Sequence, residues 1–450
     1  MQYTKVSLEE INNTVSIPSR KRGFLANLMA FSGPGALVAV GYMDPGNWIT
    51  SIQGGSIYGY LLLSVILLSS LIAMLLQAMC AKLGIVTGMD LAQATKKMVG
   101  PKMAKLLWMT TELAIMATEI AEIIGSAVAL NLLFDIPLIL GVLITIADVF
   151  LLLMFIRLGF RKIEAFVFVL IMTIFSIFAY EVAIAQPDLA ATLNGFIPKA
   201  SIFTSHIIGQ DSALVIALGI VGATVMPHNL YLHSSIVQAR KYDRNDNKDI
   251  KNAVKFALFD SNIQLGFSFI INCLLLLLGA SLFFGQDPSE LGKFTEIYNA
   301  LKNESIVGTI ASSTLATLFA VALLASGQNA TITGTLTGQI VMEGFINFKA
   351  PMWLRRVVTR VLAVLPVIAC ILIWGDNGDV VESLLIYSQV FLCIALPISM
   401  IPLIKITSDR TTMGEFVNSK PVIVLGVIST TVLIILNMQL IYETLAPLLQ

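Results

Sequence analysis

Gly41-Tyr42-Met43-Asp44-Pro45-Gly46-Asn47 sits inside a run from Phe24 to Ala81 whose only charge is Asp44. A helix crossing the hydrocarbon core needs about 20 apolar residues, so this run holds two spans and a turn, with the heptapeptide inside the first. Pro45 removes a backbone donor and the flanking glycines loosen the chain, which predicts that the helix opens here. Unpaired backbone is tolerated within a bilayer only around a protein-lined cavity, so the freed carbonyls should face inward. A carboxylate at such an opening needs a partner or a task. Met226-Pro227-His228 repeats the pattern at the midpoint of 212–239, which is uncharged between Asp211 and Arg240.

The rest of the chain supports this reading. Hydrophobic residues make up 56% of the 450 and charged residues 12%, against roughly 45–50% and about 25% in soluble chains. Lys+Arg and Asp+Glu are 28 each, a neutral balance that gives no footing for general nucleic-acid binding. The chain reads as an all-α polytopic membrane protein solvated by lipid. Gaps between charges place further spans near 106–134, 136–156, 163–185, 212–239, 256–284, 305–330, 361–375, 383–404 and 421–442, eleven in all. The uncharged stretch 305–342 is too long for one crossing. Its polar, small-residue half, Ser326 to Gly334, reads as a helix end continuing into a loop or surface helix.

With the N-terminus placed in the cytoplasm, 25 of the 28 basic residues fall on cytoplasmic segments. These segments are 5–22, 82–105, 157–162, 240–255, 349–360 and 405–420; only Lys199, Lys293 and Lys302 lie outside. This sorting follows the positive-inside rule and puts the C-terminus outside a plasma or inner membrane. The first 22 residues lack the apolar stretch of a cleavable signal, so the first span is expected to serve as the targeting element.

Spans one and six are interrupted at matching places, which is a sequence pointer to a transporter's binding site. The implied organisation is a cytoplasmic segment 1–22, a five-helix repeat 23–186, an external loop 187–210, a second repeat 211–405, and a loop with helix eleven, 406–450. The two halves show no residue-level repeat.

Beside the breaks lies a ligand set. Asp44 offers a carboxylate, Asn47 an amide oxygen, Met226 a thioether, and the unwound backbone the carbonyls of Gly41 and Ala223. Calcium and magnesium have no need of sulfur, whereas a thioether favours softer transition ions. The mixed set points to manganese, iron, cobalt or cadmium as cargo, with no permanent cofactor. Proton coupling would need titratable groups in the membrane. Glu112, Glu119 and Glu122 fall within roughly 80° of one helix face, with Arg355, Arg356 and His233 as candidate partners. Glu112 reads equally as a buried structural acid. His228 points away from Met226 and suits a proton or gating role better than ligation, and His233 suits gate lining or hydrogen bonding. Asp148 and Asp260 read as structural hydrogen-bonding acids, Asp260 with pathway lining as its alternative. Cys80, Cys273, Cys370 and Cys393 read as small apolar fillers.

The segments Gly41 to Asn47 and Gly222-Ala223-Thr224-Val225-Met226-Pro227-His228 resemble the two signature motifs of the natural resistance-associated macrophage protein (Nramp) family of divalent-metal transporters. The stretch Ser326 to Gly344 looks like that family's transport signature. The resemblance covers essentially the whole chain and is nearest to the bacterial, proton-dependent manganese branch. It implies the LeuT-type 5+5 inverted-repeat fold with broken helices one and six, and symport of Mn²⁺ or Fe²⁺ with H⁺. By motif it assigns metal binding to the side chains of Asp44, Asn47 and Met226 and to the Ala223 carbonyl, and a closed-state contact to Gln389. It also supports Glu119, Glu122 and the arginines as a proton-exit or salt-bridge network. Gly41 departs from the alanine expected in relatives, although only a carbonyl is required there.

Other readings are weighed against this. An amino-acid or organic-cation symporter on the same fold would bring an amine to Asp44 but explains Met226 poorly; a magnesium-type carrier meets the same objection. A channel would want rings of like residues, and a metalloprotease a ligand pair such as H-E-x-x-H, which the chain lacks. The expected partners are the bilayer, divalent ions and protons, with no nucleic acid and no obligate protein.

Overall fold

The computed structural model describes residues 7–17, 23–148, 159–205, 212–285, 293–348, 351–374 and 378–445. Apolar helices dominate, and eight are long and apolar enough to cross a membrane. Helix 2 is Leu63–Thr87, helix 3 Pro101–Phe134, helix 5 Phe160–Ala185, helix 7 Asn247–Leu282 and helix 8 Ser313–Ile346. Helix 9 is Met352–Trp374 and helix 11 Lys420–Leu445. Helix 6 is split into Ala213–Thr224 and Pro227–Ile236. The other three spans of the expected eleven are the broken helix 1, helix 4 and helix 10. Of helix 4 only Leu138–Thr145 is described as helix, and helix 10 is the proline-containing Gly378–Thr407.

Helix 1 comes in three pieces: Phe24–Phe31, Pro34–Val40 and Pro45–Tyr58. The expected break at 41–44 is present. A second, at Ser32-Gly33, was not foreseen. Gly33 has φ 135°, a conformation that favours glycine. Asp260 of helix 7 holds this joint, accepting from Ser32 Oγ (2.9 Å) and from the amides of Gly33 (3.1 Å) and Gly35 (2.7 Å). Asp260 is therefore a hydrogen-bonding acid that satisfies the orphan donors of a helix start. Around the same joint Glu164 accepts from Arg240 at 2.6 and 3.1 Å and pairs with Arg161 at 3.3 Å.

Helices 3 and 8, both 34 residues long, pack along each other at the centre. Here the reading of Ser326–Gly334 as a helix end or surface segment is overturned, because Ser313–Ile346 is one continuous helix buried through this stretch. The polarity that suggested a loop is satisfied internally. Thr331, Thr333, Thr335 and Thr337 donate to carbonyls three or four residues back, at 2.8–2.9 Å. The small residues admit helix 3 closely: a Cβ on Gly334 would lie 3.3 Å from Glu122 Oε1.

Several helices start earlier than the charge gaps suggested, helix 7 at Asn247, helix 3 at Pro101 and helix 9 at Met352. The tally of loop cations counted Arg360, which instead lies within helix 9 and is buried. Paired charges can enter a helix that an apolar window would end. Cys80, Cys273 and Cys370 are free and buried. On helix 11, Leu425, Ile428, Ile435 and Met438 are all more than half exposed, as lipid-facing positions would be.

The described part of the N-terminal segment folds onto the ends of helices 6 and 8. Strand β1 (Val15–Ser16) pairs in parallel with β2 (Arg240–Lys241). The Asn13 amide donates to Gln238 O (3.1 Å) and the Leu8 amide to Glu343 Oε2 (3.0 Å). Leu8 and Ile11 are buried beneath it. Lys5, Arg20, Lys21, Arg22, Arg157, His206 and Lys349 lie outside the described residues, as do the side chains of Arg356, Gln389 and Cys393.

Candidate metal site

The two breaks are built alike. Asp44 (φ −73°, ψ 164°) is the N-cap of Pro45–Tyr58, and Met226 (φ −94°, ψ 131°) is the N-cap of Pro227–Ile236. In each case the proline occupies the first helical turn, where its missing N–H costs nothing and its fixed φ suits the helix. Each cap residue is extended, and three residues before it stands the carbonyl singled out above, at Gly41 and at Ala223. The half-helices that end there direct unsatisfied carbonyls, and so negative potential, at the junction. Cations are favoured at such ends.

Asp44 and Asn47 are buried, and Met226 is fully so. The Asp44 Oδ1 accepts from the backbone amide of Asn47 (3.1 Å) and from its Nδ2 (3.0 Å). The same Nδ2 donates to the Ala223 carbonyl at 2.7 Å. One amide group thus joins the two broken helices, and three of the proposed ligands share one network. Asn47 Oδ1 has no hydrogen-bond partner among the described residues. Met226 packs with Ala114 of helix 3 and with Leu392 and Ala395 of helix 10.

Neighbouring helices hold the unwound backbone. Asn272 donates to Tyr42 O (2.9 Å) and Ser268 to Ala39 O (2.9 Å), while Met43 O accepts from Trp48 Nε1 (3.0 Å) and Ser326 Oγ (2.6 Å). The Trp48 ring meets Phe178 edge-on at 4.7 Å, an aromatic contact worth about 0.5–1.5 kcal/mol beyond its area. These roles of Ser326 and Asn272 were not legible in the sequence because nothing local marks a side chain as the partner of a distant carbonyl.

Of the helix-3 acids, Glu119 and Glu122 are buried and Glu112 is half-buried. Glu112 pairs with Arg355 at 2.6 Å, as the sequence led us to expect. Glu122 pairs with Arg360 at 3.7 Å, an arginine counted earlier as a loop cation. Arg360 also reaches Asp148 at 3.5 Å, and Gln328 donates to the same carboxylate at 2.8 Å. Glu119 is buried on the same face, its Cγ 3.9 Å from where a Gly334 Cβ would lie. Gly125, one turn beyond Glu122, abuts Pro45: a Cβ there would come within 2.5 Å of the ring.

The two histidines face different helices. Of the two readings given to His233, partner of the helix-3 acids or hydrogen-bonding residue, the geometry has the second: its Nδ1 lies 2.9 Å from Gln77 Oε1 of helix 2, and Gln77 donates to the Tyr42 hydroxyl at 2.8 Å. His228 faces helix 3, with Nδ1 3.5 Å from Thr118 Oγ1. No cluster of three His, Cys, Asp or Glu occurs among the described residues. The candidate site is therefore one of mixed donors and backbone.

Comparison with known proteins agrees with this architecture. Residues 35–443 match the family described as "Natural resistance-associated macrophage protein-like". The chain is 61% identical to the divalent metal cation transporter MntH of Latilactobacillus sakei over 438 residues, covering 97% of this chain and 94% of that one. It superposes on a crystal structure of the Eremococcus coleocola manganese transporter with a TM-score of 0.93 at 49% identity, covering 99% of this chain and 92% of that one. The nucleobase–cation symporter Mhp1, at 16% identity and a TM-score of 0.59, shares the fold alone, over 97% of this chain and 96% of that one. The fold is the LeuT-type inverted repeat with helices 1 and 6 broken, and the chain belongs to the natural resistance-associated macrophage protein-like family.

Proposed function

We propose that the chain imports divalent transition-metal ions, Mn²⁺ or Fe²⁺ with Co²⁺ and Cd²⁺ accepted, in symport with protons by alternating access. The observation that carries this is the Asn47 amide, which touches both Asp44 and the Ala223 carbonyl and so joins the two breaks. On this reading the ion takes the oxygens of Asp44 and Asn47, the Met226 sulfur, and the carbonyls of Ala223 and Gly41; Gln389 joins in a closed state. One carboxylate among neutral donors binds firmly enough to select and weakly enough to release. The sulfur disfavours Mg²⁺ and Ca²⁺, which take oxygen.

Protons travel a separate route along helix 3. Glu112, Glu119 and Glu122 with Arg355, Arg356 and Arg360 form it, and His228 links it to the metal side through Thr118. His233 serves the closure between helices 2 and 6. The domain boundaries of the sequence reading are retained, with the N-terminus cytoplasmic, the C-terminus outside and the protein resident in the cell membrane. The relatives' printed names, a divalent metal cation transporter and a manganese transporter, support the cargo.

Proteoliposomes test both halves. Manganese uptake should be abolished by Asp44→Ala, and Met226→Ala should let Mg²⁺ or Ca²⁺ compete. Uptake should acidify the lumen. Manganese entry that ignores an imposed pH gradient refutes the coupling, and undiminished uptake by Asp44→Ala refutes the site.

A further inference from the structure

Asn229 stands three residues after Met226, in the first turn of Pro227–Ile236, and so on the same side of that half-helix. Its side chain is fully buried, and neither amide atom has a hydrogen-bond partner among the described residues. An unsatisfied buried amide is costly, and each instance in a folded protein calls for a reason.

The direction of this amide is fixed by Gly41. A Cβ built on Gly41 would fall 2.0 Å from Asn229 Nδ2, 2.6 Å from Oδ1 and 2.7 Å from Cγ. The amide therefore occupies the space that any side chain at position 41 would fill, on the first residue of the helix-1 break. It lies against the carbonyl-bearing end of one broken helix, and its own residue stands three positions after the Met226 cap of the other. Asn47 Oδ1 is likewise without a partner, so two buried amide oxygens are uncommitted at the junction.

We infer that Asn229 is a further metal-binding residue, its amide oxygen entering the shell of the transported ion, and that Gly41 is small in order to admit it. Resting on the proposed metal site, this makes a donor set of four side chains, Asp44, Asn47, Met226 and Asn229, with the carbonyls of Gly41 and Ala223. Six mostly oxygen donors suit manganese. Rotation of the amide about its terminal torsion turns the oxygen toward the ion without moving the backbone. The NH₂ group is then free to hold a carbonyl of the opened helix.

The test uses the full-length purified transporter and Mn²⁺ and Mg²⁺ as separate probes in titration calorimetry. Asn229→Leu, similar in volume and without donors, should weaken Mn²⁺ binding by about tenfold, the loss of one neutral donor. Asn229→Asp, isosteric and safest for folding, should tighten Mn²⁺ binding and give measurable Mg²⁺ binding. X-ray absorption at the manganese edge should show one fewer oxygen or nitrogen neighbour in Asn229→Leu. Asn229→Asp with unchanged affinity for both ions overturns the inference, whatever the leucine variant does. Asp44→Ala separates the two claims: if it loses Mn²⁺ while both Asn229 variants bind normally, only this inference falls. If it binds normally, the site itself is misplaced.

Discussion

Replacing Arg360 with methionine should strand the buried carboxylate of Glu122 and remove one partner of the half-buried Asp148, which keeps the Gln328 donor. The Arg360 side chain is 3% exposed and faces Glu122 at 3.7 Å and Asp148 at 3.5 Å. Methionine is flexible enough to fill the space, so the loss is electrostatic rather than a cavity. Removing one partner of a buried pair costs about 3–5 kcal/mol, most of it the penalty of the charge left behind. The contacts here are long, so we expect about 3 kcal/mol, the lower end of that range. Two acids share the penalty, so adding Glu122→Gln to Arg360→Met should return about 1–2 kcal/mol. The same Glu122→Gln change in the native background should destabilise. This reversal of sign is the signature of the pair. Equilibrium unfolding in mixed detergent micelles, followed by tryptophan fluorescence, measures all four members of the cycle. If the two substitutions add to within about 0.5 kcal/mol, the groups are uncoupled and the network drawn here is wrong.

Three further outcomes follow from the geometry. Gly338→Ala would put a Cβ 2.3 Å from both terminal nitrogens of Arg355; it should cost about 1–3 kcal/mol and should cost nothing once Arg355 is alanine. Asp90, the buried cap of the helix Leu91–Val99 between helices 2 and 3, has its carboxyl pushed up to about 6 from 3.8 by burial, against the hydrogen bond from the Gln93 amide. The native state then holds a proton that the unfolded chain has released, so this contribution is full below pH 4 and declines as pH rises through 6. The difference is on the order of 3 kcal/mol, and Asp90→Asn should flatten the dependence of melting temperature on pH over that window. Ile11→Asp should lift the N-terminal strap from helices 6 and 8, seen as a loss of about tenfold or more in the hydrogen-exchange protection of the Asn13 amide, which donates to Gln238 O. Unaltered protection would show that the buried Ile11 does not hold the strap.

The broken helices were legible because proline and glycine act locally: Asp44-Pro45 and Met226-Pro227 each announce a cap and a helix start without reference to the rest of the chain. Arg355 was legible as a candidate partner of the helix-3 acids, though not of Glu112 in particular, because charges in apolar surroundings have few solutions. Arg360 was missed for the opposite reason. It stands beside Arg355 and Arg356 in what resembles a loop, and only the fold brings Glu122 and Asp148 to it. Helix 8 misled through composition: its threonines and glycines look like a surface, yet the hydroxyls bond within the helix and Gly327 and Gly334 receive helix 3. Asn229 gave no signal in one dimension, since its meaning depends on the missing side chain of Gly41, 188 residues earlier. The joint at Ser32-Gly33 became apparent only with Asp260 in view.

The central claim, that the ion is held where the two broken helices meet, is tested most directly by anomalous diffraction from a manganese-soaked crystal of the transporter. We predict one strong peak within coordinating distance of Asp44, Asn47 and Met226, lost in Asp44→Ala. A peak among Glu112, Glu119 and Glu122 instead, with none between the breaks, would contradict the account.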